Sequence, residues 1–62
     1  MNEVLDYIVA QLDDLYEPDE ARLWLSSPNK LLGGAVPLDL IETGNGGQVV
    51  RLIDQLREGV YL

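Results

Sequence analysis

Three prolines, at positions 18, 28 and 37, and the glycine pairs 33–34 and 46–47 cut this chain into short pieces. The pieces long enough to show a period show a helical one. Leu5, Ile8, Leu12 and Leu15 recur at +3, +4 and +3, with Val4 and Tyr16 widening the stripe, and this spacing predicts a helix over 3–16. Asn2 stands where it caps that helix, and Glu3 and Asp6 suit its positive end. Asp13 and Asp14 oppose the dipole at the other end and loosen it. Pro18 occupies a favoured first helical position, with Asp19 and Glu20 in the same turn, so a second helix is expected over 18–26. Ala21, Trp24 and Leu25 share its inner face, and Pro28 ends it because the residue before a proline is driven out of helical geometry.

Residues 28–36 read as a loop with an apolar pair, Leu31 and Leu32, and a turn at Gly33-Gly34. A third helix is expected over 37–43, with Leu38 and Ile41 inward, Asp39 and Glu42 outward, and Gly44 stopping it. A fourth is expected over 46–58, where Val49, Leu52, Ile53 and Leu56 form the buried stripe. Asn45 caps it, Gln48 reaches back in a capping box, and Gly59 ends it. No run alternates with period 2 for long enough to propose a strand. The expected fold class is all-α, a small bundle of about four short helices in a single domain over residues 1–62.

With 47% hydrophobic residues the composition is that of a globular domain. A domain of about 60 residues buries only about 60% of its unfolded surface, which leaves little margin. There is no cysteine to staple it, so close helix packing or a partner must supply the rest. The same composition removes much catalytic chemistry. Without Cys there is no thiolate nucleophile and no sulfur ligand for zinc. Without His, Ser26 and Ser27 lack the commonest activating base. The reading is not an enzyme, with no cofactor and no metal.

The charge is segregated. Of the eleven acids, seven (Glu3, Asp6, Asp13, Asp14, Glu17, Asp19 and Glu20) precede residue 21, with no base among them; the remaining four are matched by Arg22, Lys30, Arg51 and Arg57. A net charge of −7 repels phosphate backbones and anionic lipid surfaces, so neither direct nucleic-acid binding nor membrane binding is expected. Glu3 and Asp6 stand where a signal peptide would carry Lys or Arg. The longest apolar runs are three or four residues, against the roughly 20 needed to span a bilayer. A cytoplasmic location is expected.

From residue 21 onward the pattern becomes specific. Ala21, Trp24-Leu25, Pro28-Asn29, Leu32-Gly33-Gly34, Pro37-Leu38-Asp39-Leu40, Gly46 and Gly59-Val60-Tyr61 follow in an order and spacing that resembles the toxin-binding domain of the Xre/MbcA/ParS antitoxins. No single piece is diagnostic; their register is. The resemblance implies the antitoxin half of a toxin–antitoxin module whose toxin carries a RES domain and consumes NAD⁺, and it implies that the antitoxin obstructs the toxin's active-site cleft. It places Gly59, Val60, Tyr61 and Leu62 at that interface. Trp24, Pro28, Asn29, Gly33, Gly34 and Pro37 are the structural part of the motif. Most members of the family carry a helix-turn-helix region before this domain; the chain starts almost directly at the toxin-binding part, so operator binding does not carry over. Met1 suggests a free-standing domain, although a shortened chain would look the same.

Each candidate has a plainer reading beside it. Trp24 suits an interface anchor, but its spacing with Ala21 and Leu25 fits a core face better. The Thr43–Gly47 loop resembles a phosphate cradle only superficially, since no Lys follows the glycines and no strand precedes them; it reads as a cap and turn. The acids from Asp13 to Glu20 lack a calcium-loop pattern and read as a solvated face that steers a basic partner. Tyr61 and Leu62 either fold back onto the first helix or meet the partner. Arg51 and Arg57 are surface residues near Asp54 and Glu58, and either can pair with toxin carboxylates. The expected function is therefore an antitoxin-like protein that blocks a RES-type toxin. The alternative is a homodimerisation module with no toxin.

Overall fold

The computed structural model describes residues 2–59. Helix α1 runs over Glu3–Leu15, α2 over Pro18–Ser26, a single 3-10 turn η1 over Lys30–Leu32, α3 over Pro37–Glu42 and α4 over Gly46–Glu58. The architecture is all-α, as the apolar spacing requires. Two helix ends fall one residue short of the expected ones, at Leu15 and Glu42. Tyr16 is extended (φ −138°, ψ 158°) but still donates its N–H to the Leu12 carbonyl at 2.8 Å.

The helix starts follow local chemistry. Asn2 Oδ1 accepts from the N–H of Val4 at 3.0 Å and of Leu5 at 3.2 Å, which satisfies two donors that the first turn leaves open. At α2, the Glu17 N–H donates to Glu20 Oε1 at 3.3 Å, and Pro18 takes the first helical position. At α4 the expected capping box is absent. Asn45 sits at φ −105°, ψ 23°, outside the extended region from which a cap side chain reaches the first turn. Its Nδ2 donates instead to Thr43 Oγ1 at 3.1 Å, and its own N–H donates to the Leu40 carbonyl at 2.7 Å, closing the corner between α3 and α4.

The segment expected to be an open loop is tied around one residue. Asn29 Oδ1 accepts from the Leu31 N–H at 2.9 Å, and its carbonyl accepts from Leu32 at 3.0 Å and Gly34 at 2.9 Å. Its N–H donates to the Ala35 carbonyl at 3.0 Å, forming an isolated antiparallel bridge. Reversing the chain so tightly needs two consecutive left-handed residues, and Gly33 (φ 69°) and Gly34 (φ 89°) supply them without a Cβ penalty. The product is η1, which carries Leu31 and Leu32 onto α4.

Ile8, Leu12, Ala21, Leu25, Ile41, Val49 and Ile53 form one buried cluster contributed by all four α-helices. Ile8, Leu12, Val49 and Ile53 are completely buried, so the α1–α4 contact is the centre of the core. Pro37 is buried at the start of α3. Leu5, Tyr16, Trp24, Leu32, Leu38, Leu40 and Val50 pack around the cluster half-buried. Among the described residues no buried side-chain nitrogen or oxygen lacks a hydrogen-bond partner, and no helix is long and apolar enough to cross a membrane.

Candidate functional site

Helix α4 is the element on which the expected site residues converge, and its two sides differ. On the α1 side, two polar contacts bracket the apolar centre. Tyr7 Oη donates to Asp54 Oδ1 at 2.9 Å, and Arg57 Nη1 donates to Asp14 Oδ2 at 3.2 Å in an ion pair. The Arg57 pair brings a positive charge to the end of α1 whose dipole Asp14 opposes. From sequence, the acids near Arg57 are Asp54 and Glu58; in the fold Asp54 is taken by Tyr7 and Arg57 reaches across to α1. The hydrogen bond to Asp54 foremost, then the partial loss of water and the Asp54 charge, hold the Tyr7 hydroxyl above its ordinary 10.0, with Arg57 pulling less strongly the other way.

On the other side, α4 and η1 enclose a groove of about 240 Å³ lined by Leu31, Leu32, Gln48, Arg51, Leu52 and Gln55. Leu52 is buried (3% exposed), and Leu31 stands half in solvent at 51%. Arg51 is exposed on α4 and makes no ion pair among the described residues. Nothing in the sequence pattern joins Leu31 to Arg51, twenty positions on; the 3-10 turn does so.

Two further hollows lie on α2. One of about 290 Å³, shared with α1, holds Val9, Asp13, Pro18, Ala21, Arg22 and Leu25; the Arg22 guanidinium pairs with Asp19 at 2.6 Å. The other, about 320 Å³, holds Tyr16, Glu20, Leu23, Trp24 and Ser27. Trp24 therefore packs one side on the core and turns the other to this hollow, beside Leu23, which is 65% exposed. Among the described residues no group of three or more His, Cys, Asp or Glu side chains is placed to hold a metal ion. Three of the seven acids of the first third have separate contacts: Asp14 with Arg57 across to α4, Asp19 with Arg22, and Glu20 at the α2 cap.

Gly59 ends α4 in the left-handed region (φ 77°), and its N–H donates to the Leu56 carbonyl at 3.2 Å. Val60, Tyr61 and Leu62, three of the expected contact residues, lie outside the described residues. Asn29, Gly33 and Gly34 form the turn that contains η1, Pro37 starts α3, and Pro28 is exposed just after α2.

The fold is a short acid-rich helical bundle whose last helix borders a groove lined by three leucines, two glutamines and an arginine. The chain belongs to the Xre/MbcA/ParS antitoxin family: residues 11–59 match the model of the antitoxin Xre/MbcA/ParS C-terminal toxin-binding domain. It is 38% identical over 58 residues to the mycobacterial cidal antitoxin MbcA of Mycobacterium bovis and of two strains of Mycobacterium tuberculosis. That match takes in 94% of this chain and 51% of the relative, so the chain spans about half the length of the curated relatives it matches. No solved structure matches it.

Proposed function

We propose that this chain neutralises a RES-domain, NAD⁺-consuming toxin by lodging the end of α4 and the tail from Gly59 to Leu62 in the toxin's active-site cleft. The observation that carries the reading is the family match over residues 11–59, which runs through α4 to the start of that tail. The chain acts by binding, not catalysis, in the cytoplasm and without a cofactor. Gly59, Val60, Tyr61 and Leu62 enter the cleft. Arg51 and Arg57 flank it; Arg57, although paired with Asp14, keeps most of its five N–H donors for a partner carboxylate.

The test is neutralisation in cells that express a cognate RES-domain toxin. Deleting Val60 to Leu62 is expected to abolish rescue of growth while leaving the helical circular dichroism of the purified chain unchanged. Full rescue by the truncated chain would remove the tail from the mechanism. The exposure of Leu23 beside Trp24 favours a second reading, a homodimer that pairs this face across a two-fold axis. A melting temperature that rises with protein concentration, together with no capture of the toxin, would select it.

A further inference from the structure

We infer that the groove between η1 and α4 receives one large apolar side chain of the toxin with a carboxylate beside it, Arg51 holding the carboxylate; the inference rests on the proposed function above and gives that contact its chemistry. The charge distribution is the first argument. The chain carries eleven acids against four bases, yet none of the residues lining this groove is acidic. The two hollows on α2 contain Asp13 and Glu20. Arg22 pairs with Asp19 and Arg57 with Asp14, whereas Arg51 and Lys30 make no ion pair among the described residues. Arg51 lines the groove, and Lys30 precedes the Leu31 that forms its rim. The two bases without an ion pair among the described residues are thus one that lines this groove and one next to its rim residue in sequence.

Shape is the second argument. Leu52 at the floor and half-exposed Leu31 at the rim offer apolar surface. The volume of about 240 Å³ is below the about 300 Å³ at which small-molecule sites begin, and suits a single side chain inserted as a knob. The groove is mixed, with Gln48, Arg51 and Gln55 alongside the leucines. A guanidinium beside exposed leucine surface recognises a planar carboxylate through paired N–H donors, so the matching surface is an Asp or Glu next to a Leu, Ile, Phe or Met. A phosphate backbone would offer the charge but not the knob, and a net charge of −7 repels it. The groove lies two turns before Gly59 on the same helix, so one partner surface can span groove and tail.

The experiment is calorimetric titration of the purified cognate RES-domain toxin into four chains of residues 1–62: wild type, Arg51→Glu, Leu31→Asp and Arg22→Glu. All three positions are exposed, and equal thermal melts establish that each variant folds. Arg51→Glu and Leu31→Asp are each expected to weaken binding about tenfold or more, as loss of one partner of a desolvated charge pair or knob does. Arg22→Glu makes the same charge change away from the groove and is expected to alter affinity by no more than about twofold, the effect of a rim charge. Added salt is expected to weaken wild type more than Arg51→Glu. If wild type binds but Arg51→Glu and Leu31→Asp bind equally well, or if Arg22→Glu loses as much as Arg51→Glu, the groove assignment is overturned. If wild type itself does not bind, the proposed function falls, and the groove with it.

Discussion

The two sides of α4 are built on opposite principles. Towards α1 the helix is closed: Val49 and Ile53 meet Ile8 and Leu12 with no exposure at all, and the polar rim is used up in Tyr7–Asp54 and Asp14–Arg57. Towards η1 it is open, with Leu31 half in water and Arg51 without an ion pair among the described residues. Two arginines six positions apart on one helix thus have different work. Arg57 braces the fold through Asp14 with one nitrogen and keeps its other donors for the proposed interface, whereas Arg51 faces outward with no ion pair among the described residues. In a domain too small to give one helix to its core and another to its partner, one helix serves both, and substitutions on its two sides should separate stability from binding.

The hardest break is on the closed side. Ile53→Ala removes three carbons from a completely buried site, which costs about 2–5 kcal/mol including the cavity left behind. An unstapled domain of this size holds about 3–5 kcal/mol in all, so the variant is expected to be largely unfolded at room temperature. Leu31→Ala on the open side, where half the side chain is already in water, should cost less than about 1 kcal/mol. Thermal melts of both by circular dichroism decide it: equal losses would mean that the groove wall is part of the core.

A finer test uses the neighbouring glycines at the start of α4. A Cβ on Gly46 would stand 2.7 Å from Val4 Cγ1, closer than carbon atoms pack, whereas one on Gly47 would meet nothing within 4 Å. Gly46→Ala must displace a β-branched side chain with few rotamers, at about 1–3 kcal/mol. Against that stands the about 0.4–1 kcal/mol gained by restricting the unfolded chain. The net expectation is a loss of about 1 kcal/mol, or some 4–8 °C in Tm for a chain of this length. Gly47→Ala has the gain without the clash and should raise Tm. Opposite shifts from adjacent identical substitutions would locate the close approach of α1 and α4 at Gly46; shifts of the same sign would remove it.

Much of this contrast was legible in the sequence on the closed side and almost none on the open side. Leu5, Ile8 and Leu12, and Val49, Leu52 and Ile53, announce their helices through spacing, because a helix long enough to bury a stripe must repeat it. Three residues of 3-10 turn have no period, so Lys30–Leu32 reads as loop until Asn29 is seen gathering three backbone hydrogen bonds and one through its side chain. In the sequence the acids near Arg57 are Asp54 and Glu58, and the fold pairs it with Asp14, forty-three positions off. Asn45 has the right residue type for a cap and the wrong backbone angles, which no composition rule reveals. The groove exists only where η1 meets α4; its lining is scattered over Leu31–Leu32 and Gln48–Gln55, and neither stretch looks like a site alone.

The smallest effect concerns the polar rim of the closed side and is read in pH. Tyr7 keeps its proton above the ordinary range because its hydroxyl donates to Asp54. A group whose folded pKa is raised stabilises the fold in its protonated form. Its contribution is therefore complete below the unfolded value, near 10, and disappears as pH climbs through the higher folded value. Tyr7→Phe removes the hydroxyl and keeps the ring, so it should lower stability slightly in urea unfolding near neutral pH, and the gap to wild type should close as the solution is made strongly alkaline. The difference between the ultraviolet titrations of the two chains isolates Tyr7 from Tyr16 and Tyr61, and its midpoint should lie above 10.0. A midpoint at or below the ordinary value would mean that Asp54 does not hold that proton, and the brace between α1 and α4 would then rest on Asp14–Arg57 and the buried apolar contacts.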